Sequence, residues 1–348
     1  MASKSQDHFG ILNIFGRDFQ SMPLAQQELW LGRAFDYWRS HGFPYPTLSF
    51  EEIEREFRLL QRVVPEDIIQ NDEARSSMLG LRMANYFHPQ MWAVQEHGRS
   101  AVRCFEDDTI LRRALTKAAR FWPNRRCWNA QCVRSVLRIF HRARVSNFRP
   151  TVAGAIINYF SLEGATVLDF CAGYGGRLLG SLSLKNRHYI GIDPAEEQVQ
   201  GLREMLRTLS SLSEGSAEIH QMCAEDLLRE LPGCSVEFVF SSPPYFDRER
   251  YSIDQAQSFR RYPRYSEWKE KFLKVIINES FRVLKRGGYL AINVADVGAY
   301  AVATDTRDLA KEVFEIRRTI RMLTNAMPSQ RAKNRIYKWE PILIFQKR

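Results

Sequence analysis

From about Ser146 onward the chain alternates short apolar runs with amphipathic ones, and this alternation limits the fold more than any other feature. Ala165–Phe170, His188–Asp193, Ala217–Met222, Val236–Ser241 and Tyr289–Val294 read as buried strands. Between them Arg177–Ser183, Ala195–Leu209, Ala224–Leu231 and Ser266–Leu284 read as helices. The repetition predicts an α/β fold with a doubly wound, mostly parallel sheet. In such a fold ligands gather beyond the carboxyl ends of the strands.

The chain before that point reads as mostly helical. Gln26–Ser40 and Phe50–Val63 carry helical spacing, Ser49 with Glu52 has the form of a capping box, and residues 42–46 break the pattern. No repeat and no chemical motif occurs there. Two regions are therefore expected: a helical N-terminal region, 1–146, and an α/β domain, 147–348. A chain of 348 residues with 45% hydrophobic residues can fill cores of that size, which excludes a disordered protein.

No apolar run approaches the roughly eighteen residues of a membrane span. Met1–Arg17 lacks the charged start, apolar stretch and cleavage site of a signal peptide, so a cytoplasmic protein is expected. The six cysteines are scattered without a C-x-x-C pair and read as buried thiols. The seven histidines show no ligand spacing, so no metal is expected.

The formal net charge is +10, and it is unevenly placed. Between Arg99 and Arg149 thirteen Lys or Arg face three acids, with Phe121, Trp122, Trp128 and Phe140 among them. Apolar residues recur there at helical spacing, which predicts an apolar face inward and a basic face outward. Such a surface suits a polyanion, because phosphate contacts release condensed counterions. Arg125, Arg126 and Arg134 are the candidate nucleic-acid contacts.

Three strand ends carry chemistry. Asp169-Phe170-Cys171-Ala172-Gly173-Tyr174-Gly175-Gly176 runs from a strand into a glycine turn that opens a helix. Its G-x-G-G spacing is not the G-x-G-x-x-G of a pyrophosphate loop. Asp193 ends the next strand, twenty residues after Gly173, where a carboxylate can accept both hydroxyls of a ribose. Together these indicate an adenosine cofactor without a pyrophosphate. The third site is Ser242-Pro243-Pro244-Tyr245, after the fourth strand. Its prolines remove backbone donors and leave the Ser242 hydroxyl and the Pro243 carbonyl as acceptors beside an aromatic ring. That set can hold an exocyclic amino group while Tyr245 stacks on its ring.

These motifs resemble those of class I methyltransferases. Asp169 through Gly176 is similar to their S-adenosylmethionine loop, and Ser242–Tyr245 resembles the catalytic S-P-P-Y of DNA amino-methyltransferases, above all the cytosine-N4 group. The likeness runs from about Asn147 to Arg348, through the Arg282–Gly288 turn to the strand at Glu340–Phe345. It implies a Rossmann-like, seven-stranded sheet and S-adenosylmethionine as cofactor. It also implies methyl transfer to an amino group of a DNA base, with cytosine N4 favoured and adenine N6 the other choice. Arg149 and Pro150 fall where the family touches the methionine half of the cofactor, with Asp169, Cys171, Ala172, Gly173, Gly175 and Asp193 around the rest. Adenine recognition falls to Glu225, with Asp226 behind it.

The chain departs from the family in three ways. Its cofactor loop precedes its catalytic loop, Cys223 stands where many relatives have Asp, and no separate target-recognition domain follows. A cytosine-C5 mechanism needs a cysteine in the catalytic loop, and Ser242–Tyr245 has none. The alternatives are an RNA, nucleoside or small-molecule N-methyltransferase and, more remotely, a non-catalytic nucleic-acid protein.

Overall fold

The structure is a computed structural model that describes residues 10–75, 77–95, 98–141, 145–248, 251, 254–325 and 337–348. It divides into two compact units, Met1–Thr47 with Pro89–Ser146, and Leu48–His88 with Asn147–Arg348.

The first unit is helical. Its main helices are Leu24–His41, Asp108–Phe121 and Ala130–His141. Asp107 caps the second of these by accepting from the Ile110 N–H at 2.9 Å. Leu111, Ala114, Leu115, Ala118 and Ala119 point inward and are fully buried, together with Val133, Val136 and Leu137. Trp128 is fully buried as well, and its indole N–H donates to the Leu115 carbonyl at 3.0 Å.

The second unit holds nine strands among the described residues: β1 (Ile69–Gln70), β2 (Glu73–Arg75), β3 (Thr166–Asp169), β4 (His188–Asp193), β5 (Ser216–Gln221), β6 (Val236–Ser241), β7 (Leu284–Asn293), β8 (Glu315–Asn325) and β9 (Tyr337–Gln346). Their order is β1-β2-β8-β9-β7-β6-β3-β4-β5. The strands from β7 through β5 pair in parallel, and β9 lies antiparallel between β7 and β8. Order reverses between β3 and β6, the switch point where an open α/β sheet binds its ligand. Side chains alternate between two cores: Val167, Tyr189, Phe238, Phe240, Ile342 and Ile344 enter one, and Leu168, Ile190, Val239, Leu343 and Phe345 the other. Burial on both faces is why these strands read as apolar runs.

The division differs from the expected one at 48–88, which belongs with the sheet. The helix Phe50–Gln61 begins at a complete capping box of Ser49 and Glu52 and turns Ile53, Phe57 and Leu60 into the first sheet core. β2 then adds a parallel strand to β8, so the sheet exceeds the expected seven strands by two. The cysteines also differ in part. Cys104, Cys127 and Cys132 are buried, Cys171 and Cys223 are partly covered, and Cys234 is exposed.

Candidate functional site at the strand ends

The glycine turn is shaped by two demands. Gly175, at φ +75°, and Gly176 are packing positions. A Cβ on Gly175 would stand 2.8 Å from Met205 Cε and 3.3 Å from the His88 ring, and one on Gly176 would stand 2.2 Å from the Phe148 carbonyl oxygen. Gly173, at φ +55°, is open: among the described residues a Cβ there would meet the Cys171 carbonyl alone, at 3.8 Å. Its backbone is therefore approachable by a ligand. His88, from the 48–88 segment, is buried beneath the turn, and burial lowers its pKa to about 4, so it is neutral there.

Asp193 faces this opening. Its two oxygens accept from the Gly173 N–H and the Ala195 N–H, each at 3.0 Å. Burial pushes its carboxyl up to about 6, against the two N–H bonds that favour the charge. Ala195, not Asp193, stands at the N-cap position of the following helix Glu196–Leu209, which has no side-chain cap bond. Ala172 donates to the Ile192 carbonyl at 2.8 Å, which holds the turn against β4.

Asp169 has a different place. It is fully buried, and it accepts from Arg177 Nε (2.7 Å), the Tyr189 hydroxyl (2.6 Å), the Ser241 hydroxyl (2.7 Å) and the Cys171 N–H (3.2 Å). Arg177 also donates to the Cys171 carbonyl. Asp169 thus organises the turn from beneath and has its oxygens committed to the protein. Burial and the nearby Asp193 and Asp169 carboxylates hold the Cys171 thiol well above its ordinary pKa.

The segment before the first sheet helix adjoins the turn. Asn147 donates to the Tyr174 carbonyl at 2.8 Å, and Pro150 opens the helix Pro150–Phe160. Arg149 is half-buried. Its bond among the described residues runs to Met78 Sδ, at 3.1 Å, and burial lowers its pKa. No ion pair to an acid is present for it among the described residues.

Glu225 and Asp226 begin the helix Ala224–Glu230 after β5. Arg261 reaches both, at 2.8 and 2.9 Å, and the Tyr262 hydroxyl donates to Glu225 at 3.2 Å. Burial raises the Glu225 pKa, opposed by Arg261.

In the loop after β6 the Ser242 hydroxyl lies 3.0 Å from the Asn293 carbonyl and donates to it. Asn293 is itself fixed by its amide N–H on the Pro341 carbonyl at 3.1 Å. With its proton so placed, the Ser242 oxygen keeps its lone pairs as acceptors. Pro243 is buried and Pro244 half-buried. Tyr245 is 9% exposed and forms part of the second sheet core, so only a small face of its ring is open. Phe246 follows in a left-handed backbone, φ +58°, anchored among Tyr265, Trp268 and Tyr300 with ring centroids 4.9–5.8 Å apart.

The basic candidates separate. Arg125 and Arg126 are exposed on a loop braced by Gly16 N–H to the Arg125 carbonyl and Cys127 N–H to the Ile14 carbonyl, both 3.0 Å. Arg134 is instead half-buried, donates to the Pro44 carbonyl and lies over the Trp92 ring. Arg142 and Arg144 lie outside the described residues. Sequence reasoning missed Arg177, Tyr189, Ser241, Asn293 and Arg261. A lone arginine opening an apolar helix was the available signal for Arg177. Among the described residues no cluster of His, Cys, Asp or Glu could hold a metal ion, and no helix is long and apolar enough to cross a membrane.

Residues 236–348 match the DNA methylase family, and residues 138–259 match a family described as conserved hypothetical protein 95. No curated protein matches. Among solved structures the chain is similar to TrmN from Thermus thermophilus, at 16% identity and TM-score 0.41. That match covers 61% of this chain and 53% of that one, so this chain spans about half its length. It is also similar to a putative rRNA-methylase from Clostridium thermocellum (14% identity, TM-score 0.37, covering 56% and 93%). A third is a precorrin-6y C5,15-methyltransferase from Geobacter metallireducens (14%, 0.40, covering 59% and 92%). The matched residues 236–348 hold the S-P-P-Y loop and β7 to β9, and the family they match uses S-adenosylmethionine as its cofactor.

Proposed function

We propose that this protein methylates an exocyclic amino group of a DNA base, with cytosine N4 favoured over adenine N6. The observation that carries the reading is the Ser242 hydroxyl, whose proton is given to the Asn293 carbonyl. It is left as an acceptor directly before two prolines that offer no N–H. The Ser242 oxygen and the Pro243 carbonyl would take the two amino hydrogens, draw the nitrogen toward tetrahedral geometry and stabilise the positive charge that develops on it. Tyr245 would flank the ring, and a duplex base would have to leave the stack to reach it.

S-adenosylmethionine, when bound, supplies an electrophilic methyl group on a sulfonium. Open Gly173 beside Asp193 fits its adenosine: the backbone admits a ligand, and each Asp193 oxygen keeps a lone pair for a ribose hydroxyl. Arg149, half-buried and with no acid paired to it among the described residues, would take the methionine carboxylate. Glu225 would take the adenine amino group, with Asp226 behind it. Cys171, Ala172 and Gly175 would form the wall of the cofactor site, with Pro150 behind Arg149. The exposed Arg125 and Arg126 would bind phosphates, whereas Arg134 would support its own unit.

The test is transfer of labelled methyl to duplex DNA, single-stranded DNA, RNA and free nucleosides, followed by nucleoside mass analysis. N4-methylcytosine in DNA is the expected product, and N6-methyladenine would move the target. Label only in RNA or nucleosides would replace the DNA reading with that alternative.

A further inference from the structure

The backbone ladder between β3 and β6 ends at Leu168 with Val239. Beyond it the two strand ends carry different duties: β3 leads into the glycine turn and β6 into Ser242. The Ser241 side chain bridges them. Its hydroxyl donates to Asp169 Oδ1 at 2.7 Å and accepts from the Cys171 N–H at 3.0 Å. Ser241 and Asp169 are fully buried, and Arg177 and Tyr189 hold the other Asp169 oxygen at 2.7 and 2.6 Å. Asp169 therefore has little freedom to turn away, and Ser241 has no water to exchange with.

We infer that Ser241 is a positioning residue that locks the acceptor loop, Ser242–Tyr245, to the cofactor turn, Cys171–Gly176. The two loops would then move as one body, and the amine would be presented to the methyl group at a fixed separation. Alignment of this kind is sensitive, since a displacement of about 1 Å can cost on the order of a hundredfold in rate. The inference rests on the amino-methyltransfer reading for its effect on turnover, but the mechanical lock itself does not.

The test compares wild type with Ser241→Ala and, should that variant fail to fold, Ser241→Cys, which keeps the volume and weakens both bonds. Two readouts are taken: turnover with the KM for S-adenosylmethionine, and hydrogen exchange of peptides covering 171–176 and 242–248 with and without S-adenosylmethionine. In wild type the cofactor should slow exchange in both peptides. In the variant it should slow only the first, while turnover drops by about ten- to a hundredfold and KM changes by less than about threefold. Ser241→Thr, which restores the hydroxyl, should recover the coupled protection. Wild type without protection at 242–248, or a variant that keeps both coupled protection and turnover, overturns the inference. Coupled protection in a wild-type protein that methylates no amine would uphold the lock and sink the amino-methyltransfer reading instead.

Discussion

The two units treat charge in opposite ways. In the helical unit no described Lys, Arg, Asp or Glu is buried, and the buried polar side chains are Ser100 and His141. In the sheet unit Asp169, Arg177, Arg187, Asp193 and Glu225 are all buried, together with Ser241 and Asn293. Burying an ion costs several kcal/mol unless partners compensate it, so a fold that needs only to be stable leaves ions outside. The helical unit follows that rule, with Arg112 lying 3.8 Å over the Phe35 ring and Arg125 and Arg126 in solvent. The sheet unit departs from it at the carboxyl ends of β3, β4 and β5, and once at the amino end of β4, where Arg187 donates to the Ser161 carbonyl at 2.9 Å. Buried, partnered charge at those carboxyl ends marks the place where chemistry is prepared.

The comparison breaks most readily at Arg177. Arg177→Met strands the Asp169 carboxylate in the core, and it should cost about 3–5 kcal/mol in urea unfolding. Arg120→Met on the exposed helical face should stay within about 0.5 kcal/mol. Similar losses from both would erase the distinction.

Next in size is the Ser242–Tyr245 loop. Ser242→Ala should lower turnover about tenfold to a thousandfold with cofactor affinity unchanged, because the lost acceptor acts as the amine gains charge. Tyr245→Phe, which keeps the ring, should be nearly silent. Wild-type turnover in Ser242→Ala would return the loop to a purely structural role.

Asp193 sharpens the comparison through pH. Its folded pKa, about 6, lies above its ordinary value of 3.8. This group therefore favours folding fully at low pH, and that contribution is lost as pH rises through about 6. On the proposed reading cofactor affinity would run the other way, since the ionised form is the better acceptor for ribose hydroxyls. Calorimetric titration should find binding weakened by about tenfold between pH 7 and pH 5. A flat wild-type profile, or a pH dependence that persists in Asp193→Ala, would remove this residue from the site.

The smallest effect belongs to the basic loop. Arg125→Ala and Arg126→Ala should each reduce the slope of log affinity for DNA against log salt by about one, with the fold undisturbed. Arg134→Ala should instead destabilise its unit, because it frees the Pro44 carbonyl and uncovers Trp92. Unchanged salt slopes would leave the loop as solvated surface.

What the sequence made legible follows from the same physics. Strands buried on both faces must be apolar at every position, so β3, β4 and β6 stand out, and motifs at their ends are located with them. The capping box at Ser49 announced a helix but could not say which core Ile53 and Phe57 would enter. β1 and β2, of two and three residues, are too short to carry a period. The committed oxygens of Asp169 were equally hidden. Whether a carboxylate meets a ligand or an arginine depends on residues eight, twenty and seventy-two positions away.

β2 pairs in parallel with β8, Glu73 opposite Arg321. During synthesis the earlier strand leaves the ribosome about 250 residues before its partner, a wait on the order of ten to fifty seconds at about 5–20 residues per second. Throughout that interval β2, Glu73–Arg75, has no strand to pair with on its β8 side. The last stretch of the chain to be made is thus the one that gives an early stretch somewhere to go. A nascent-chain experiment would find this segment sensitive to protease until residues beyond 321 have emerged.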